Sequence, residues 1–178
     1  MKIIRVIIKN FSLIVFVLSF SLVGCRQELK KQITEEEAKV LMDSYMQATS
    51  EANLVLLSEI CAPEFILHTP ISAEPIIGIE GYKTFVTNTS NIFPDFRIRI
   101  SEVLVKDDSI WSHFTFTGTN KGPMGELPAT GKQIKISGLA ITRVKNGKVV
   151  EDQTFWNVLQ LYQQLGFTLT APKVNAVY

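Results

Sequence analysis

From position 96 onward, apolar and polar residues alternate in long runs: Phe96 to Lys106, Ser109 to Thr119, Lys132 to Lys145 and Lys148 to Trp156. A period of two puts successive side chains on opposite faces, so each run predicts a strand. Asp107-Asp108 separates the first two runs as a hairpin turn, and Asn146-Gly147 separates the last two. The latter is the stronger signal, because both residues tolerate positive φ. Asn120 to Gly131 is a longer loop rich in Gly and Pro.

Before position 96 the period is helical. Thr34 is suited to cap a helix, and Glu37 completes a capping box. Ala38, Leu41, Met42, Tyr45 and Met46 then fall on one face. A second helix is predicted over Ala52 to Ile60, stopped by Pro63, and a third over Gly78 to Asn91. Between them, Phe65 to Thr69 reads as a short strand carrying His68, and Pro70 to Pro75 as a loop. At the other end, Leu159, Leu161, Tyr162 and Leu165 predict a short helix that Gly166 ends. Three helices, four long strands and a closing helix predict an α+β fold. The helices pack on one face of a curved, mostly antiparallel sheet.

The N-terminus follows a different pattern. Lys2, Arg5 and Lys9 precede an almost wholly apolar run, Phe11 to Val23. The run is shorter than the roughly 20 residues of a membrane-spanning helix and reads as a secretory signal. It ends Leu22-Val23-Gly24-Cys25. That order resembles the bacterial lipobox, in which the Cys is lipidated and becomes the first residue after cleavage. The resemblance implies a diacylglycerol thioether on Cys25, usually with a further acyl chain such as palmitate. Two or more chains, at about 0.8 kcal/mol per buried CH₂, anchor a protein stably. The expected organisation is a lipoprotein signal peptide over 1–24, a tether over 25–32 and one domain over 33–178. The expected location is the cell envelope, with the domain outside the cytoplasm. Arg26 stands where an Asp often marks inner-membrane retention, so a Gram-negative host would place the protein on the outer membrane.

Cleavage takes away three basic residues and no acidic one, so the formal net charge falls from +1 to −2. No basic block or basic–aromatic stripe remains, which disfavours nucleic-acid binding. Cys61 is the other cysteine. With Cys25 acylated it has no partner in the chain, and the fold rests on its core. HExxH, CxxC, Walker, dinucleotide and Gly-x-Ser-x-Gly patterns are all missing, so neither a metal nor an organic cofactor is expected.

Candidate chemistry centres on the last strand. Strict alternation places Val149, Glu151, Gln153, Phe155 and Asn157 on one face and Val150, Asp152, Thr154 and Trp156 on the other. The first face sets an acid and two carboxamides among apolar neighbours, a mixture suited to a ligand pocket. Asp152 is set aside as pointing the other way. His68 is either an acid/base group or a hydrogen-bonded structural histidine. Glu151 is the nearest carboxylate to Asn157, with an exposed rim position or an ion pair as its structural alternative. Trp111 and His113 share a strand face that lines either the pocket or an interface. Tyr82, Trp111, Phe155 and Trp156 are placed to stack on a flat ligand, or to be plain core.

Several segments together resemble the SnoaL-like polyketide cyclase, or ester cyclase, group of the NTF2-like superfamily. They are His68-Thr69-Pro70, GIEGYKTFVTNTSNIFPDF from Gly78 to Phe96, FTGTNKGPMGELPATGKQIKISG from Phe116 to Gly138, then NGKVVE and QQLG. The resemblance covers nearly the whole predicted domain. It implies a cone-shaped barrel with an apolar pocket at its open end, and often a homodimer. Characterised cyclases of the group close a ring by an intramolecular aldol step without a cofactor, an acidic pocket residue serving as acid and base. The resemblance also implies where this chain departs. Gln153 and Asn157 stand where relatives often carry Trp and Asp, and Gly118-Thr119-Asn120 replaces a Gly-Thr-His motif. An amide does not exchange a proton near neutral pH.

Two functions follow. One is an enzyme that cyclises, isomerises or hydrolyses a small hydrophobic or aromatic carbonyl compound, with His68 or Glu151 as acid/base. The other is a non-catalytic small-molecule-binding or dimeric interaction module, which Asn157 favours. In either case Tyr82, Trp111, His113, Gln153, Phe155 and Asn157 are expected to line the pocket.

Overall fold

A computed structural model describes residues 33–168 and residue 170. The expected leader, tether and lipidated Cys25 lie outside the described residues. The elements run α1 (Glu35–Ser50), α2 (Leu54–Ile60), β1 (Cys61–His68), β2 (Ile76–Ile77), α3 (Gly78–Ile92), β3 (Arg97–Lys106), β4 (Ser109–Thr119), β5 (Gln133–Lys145), β6 (Lys148–Trp156) and α4 (Val158–Leu165).

The six strands form one sheet in the order β2-β1-β6-β5-β4-β3. The last four strands pair antiparallel in sequence. The β1–β6 pair is parallel, and the chain crosses through α3 from the β6 side of the hairpin meander to its β3 edge. Helix α1 packs against β3 and α3 against β1. The sheet therefore curves around helices that touch both of its ends, the α+β arrangement the pattern predicts.

The local causes are visible. The Thr34 hydroxyl accepts from the Glu37 amide, and the Glu37 carboxylate accepts from the Thr34 amide. The capping box satisfies two otherwise orphan donors of α1. Asn53 caps α2, so that helix starts two residues later than its apolar pattern suggests. It also stops at Ile60, before Pro63 could break it. Pro63 instead sits inside β1, where the pairing with β6 is irregular between Cys61 and Ile66. Asn146 and Gly147 both have positive φ, as the turn requires.

Two apolar clusters form the interior. One joins Met42, Tyr45, Phe65, Tyr82, Ile110 and Val149. The other joins Phe93, Phe96, Ile134, Ile136, Leu161 and Leu165, and so seats α4 on β5. The Gln164 side chain pins that seat, accepting from the Lys135 amide at 2.7 Å and donating to its carbonyl at 2.9 Å.

Candidate active site

Between the two clusters lies a cavity of about 390 Å³, within the range of sites for small organic molecules. The helices contribute Met42, Thr49, Tyr82 and Val86 to its wall. The sheet contributes Ser112, Phe114, Phe116, Asp152, Thr154 and Trp156. Leu161 and Tyr162 of α4 and Met124 of the β4–β5 loop line the far end. Asp152 is the one carboxylate among the described lining residues, and no histidine, lysine or arginine joins it.

Asp152 is buried and lies opposite Thr142 on β5 and Leu67 on β1. The Thr142 hydroxyl donates to one carboxyl oxygen at 2.9 Å, and the Tyr45 hydroxyl donates to the other at 3.3 Å. Burial pushes the Asp152 carboxyl up to about 6, while the Thr142 and Tyr45 hydrogen bonds pull it back down. A network of hydroxyls backs the group. The Thr49 hydroxyl donates to the Tyr45 carbonyl at 2.8 Å, so Tyr82 must be the donor in its 2.9 Å bond to Thr49. Burial raises both tyrosine hydroxyls far above the usual phenol range, so they act as neutral hydrogen-bond donors. Burial likewise pushes the Cys61 thiol up to about 12, which leaves it an inert core group.

Asp152 was expected on the wrong face, and the reason is a β-bulge. Val149 pairs with Val144, but the next pair is Glu151 with Arg143. β6 thus spends one more residue than β5, and the extra residue reverses the alternation beyond it. Val149 and Asp152 both point inward, and Gln153 and Phe155 point out. These two do not line the cavity, and Phe155 is 48% exposed. Asn157 does not line it either: its side chain accepts from the Gln160 amide at 3.1 Å and caps α4. Trp111 and His113 also lie on the outer face, because the inward positions of β4 are Ile110, Ser112, Phe114 and Phe116. His113 Nδ1 is 2.7 Å from the Ser101 hydroxyl. Of the six expected lining residues, Tyr82 is the one in the wall.

His68 and Glu151 are brought together, but outside the cavity lining. His68 Nε2 is 3.3 Å from Glu151, whose other oxygen is 3.4 Å from Arg143. Both side chains are about a third exposed, the ion-pair alternative for Glu151. Asn120, at the changed Gly-Thr-His position, is buried as a loop clamp. It donates to the Gly122 carbonyl and accepts from the Thr130 amide and hydroxyl. Among the described residues no three His, Cys, Asp or Glu side chains are grouped to hold a metal ion.

The sequence profile of SnoaL-like polyketide cyclases matches residues 39–165. This chain belongs to the SnoaL-like polyketide cyclase family. Solved structures with the same fold include TsrD from Streptomyces laurentii, at 23% identity and a TM-score of 0.67, over 76% of this chain and 98% of that one. IdmH from Streptomyces antibioticus, a candidate polyketide cyclase, matches at 23% identity and a TM-score of 0.64, over 72% and 98%. A protein with a ketosteroid isomerase-like fold from Catenulispora acidiphila, solved with trimethylamine, matches at 13% identity and a TM-score of 0.63, over 72% and 93%. At these identities the likeness is one of fold, an NTF2-like α+β barrel. A search of curated proteins found no significant match. Within this SnoaL-like domain, the bulge in β6 decides which acid reaches the cavity.

Proposed function

We propose that the cavity binds a small, largely apolar carbonyl compound and that Asp152 moves a proton on it, as base and then as acid. The observation that carries this reading is the single buried carboxylate among the described residues of a largely apolar wall, held by two hydroxyl donors. The Asp152 carboxylate removes a proton from the carbon beside the carbonyl, leaving an enolate and a neutral carboxyl group. The enolate carbon then attacks a second carbonyl of the same molecule, or is reprotonated at a different carbon. In the first case the carboxyl returns its proton to the new alkoxide, and in the second to carbon. A pKa near 6 suits both directions, since the group is mostly ionised at neutral pH yet accepts a proton readily. No metal or organic cofactor is needed for either step.

The non-catalytic reading loses the feature that favoured it, because Asn157 caps a helix and does not face the cavity. We also assign the outer sheet face to a second copy of the chain. Leu104, Trp111, Leu139 and Phe155 are exposed there on neighbouring strands. A lipid on Cys25 would hold the domain at the envelope.

Native mass spectrometry of the protein purified from its own host tests the reading. A hydrophobic carbonyl compound should accompany it. Wild type should convert that compound, and Asp152→Asn should bind it without converting it. A compound released unchanged by both would make this a binding protein.

A further inference from the structure

The cavity holds a second polar group that the proton transfer does not use. Ser112 is 3% exposed and lines the cavity, and its hydroxyl has no hydrogen-bond partner among the described residues. Its surroundings explain why. Ser112 lies opposite Val103 on β3 and Ala140 on β5, and its inward neighbours along β4 are Ile110 and Phe114. None of these side chains offers a donor or an acceptor. A buried hydroxyl without a partner is costly, and packing alone would be served by an apolar side chain.

The sheet register sets Ser112 apart from the acid. Asp152 aligns with Thr142 on β5 and so with Ile110 on β4, one inward position before Ser112. The two residues are therefore two strands and two residues apart, about 12 Å between Cα atoms from ordinary strand spacings. Both side chains leave the sheet on the same face, so the separation carries over to their polar atoms, and one ligand oxygen bonded to both would need those atoms no more than about 6 Å apart. Two oxygens, separated by roughly the width of a fused ring pair, suit the spacing better. The surroundings are mostly apolar: Ala140 stands between Ser112 and Thr154 in Ser112's own row, Phe114 and Trp156 stand on the next, and the Thr154 hydroxyl already donates to the His68 carbonyl at 3.2 Å.

We propose that Ser112 is a ligand-binding residue that sets specificity, hydrogen-bonding a second oxygen of the compound whose first oxygen or acidic carbon lies at Asp152. The inference rests on the cavity being the ligand site and narrows the ligand class. The compound carries oxygen functions at both ends of a flat apolar body, and a compound with one oxygen lacks half of the recognition.

Two probes test this, 2-naphthol with one hydroxyl and 2,6-dihydroxynaphthalene with two. Binding is measured by titration calorimetry at pH 7.5 on the full chain in nanodiscs, with empty nanodiscs subtracted. A carboxylate is the stronger acceptor, so the first hydroxyl goes to Asp152 in both probes. Ser112→Ala should weaken the dihydroxy probe at least fivefold and leave 2-naphthol within twofold of wild type. Asp152→Asn should weaken both. Equal effects of Ser112→Ala on the two probes, or no effect on either, would overturn the assignment of Ser112 while the cavity reading stands. Failure of both probes to bind wild type would overturn the cavity reading and this inference with it.

Discussion

The Tyr45 hydroxyl of the first helix donates to the Asp152 carboxyl of the last strand at 3.3 Å, across 107 residues of sequence. The bond ties the two ends of the domain to one group. It also makes the acid's affinity for a proton depend on the helix. Removing the hydroxyl in Tyr45→Phe takes a donor from the ionised carboxyl, so its pKa should rise further. A hydrogen bond to a charged group contributes about 1.5 kcal/mol at the weak end, which corresponds to roughly one pH unit. The carboxyl titration of Asp152, followed by ¹³C NMR, should move up by that amount. An unchanged midpoint would show that the bond does not hold the charge.

Asp152 also makes stability depend on pH in an unusual direction. Its folded pKa, about 6, lies above the ordinary 3.8. The folded chain therefore binds more protons than the unfolded chain between those values, and stability falls as pH rises through that window. The difference corresponds to about 3 kcal/mol. Asp152→Asn should match wild type in stability near pH 3.5 and exceed it by up to about that amount above pH 7. Denaturant unfolding at the two pH values checks this. A variant less stable than wild type at pH 7.5 would mean that the charge is better solvated than the burial implies.

Much of this architecture was legible in the sequence. The hairpin at Asn146-Gly147 and the runs Ser109 to Thr119 and Lys148 to Trp156 became β4 and β6 with the same ends. The capping box at Thr34 and Glu37 formed as read. The site was less legible, because a period of two holds only until a bulge. The doublets Val149-Val150 and Glu151-Asp152 break the alternation, and that was the available signal. Strict alternation carried past them chose Glu151 over Asp152 and placed Gln153 and Phe155 inside. β2 was missed for another reason. Two residues cannot display a period, although they pair with Ile66 and Leu67 of β1.

Gly138 marks how tightly the sheet closes on the cavity. A Cβ there would lie 2.5 Å from the Phe155 carbonyl oxygen and 2.7 Å from Phe114 Cζ. Gly138→Ala should therefore displace the Phe114 ring into the cavity and cost about 1–3 kcal/mol. The loss should appear as a lower denaturation midpoint together with weaker binding of naphthol probes. Unchanged binding would show that the ring yields without entering the ligand space.

The outer face makes a separate prediction. Trp111 is 45% exposed, opposite Leu104 on β3 and diagonal to Leu139 on β5, which in turn lies opposite Phe155 on β6. Patches of this kind mark contact sites. Wild type should sediment as a dimer and Trp111→Asp as a monomer with unchanged secondary structure. A wild-type monomer would remove the second copy from the account.

Cys25 carries the membrane claim. Cys25→Ala should abolish incorporation of labelled palmitate and leave the leader uncleaved in the intact mass. Label retained by the variant would place the acyl chain elsewhere.

The most direct test of the central claim does not require the natural substrate. 2-Tetralone is a flat, apolar ketone with acidic protons beside its carbonyl. In D₂O near neutral pD, wild-type protein should accelerate exchange of those protons, followed by NMR, with a rate that rises through an apparent pKa near 6. Asp152→Asn should exchange no faster than buffer, while His68→Ala and Glu151→Gln should keep the wild-type rate. Exchange that survives in Asp152→Asn, or is lost in the other two variants, would contradict the assignment of Asp152 as the proton carrier.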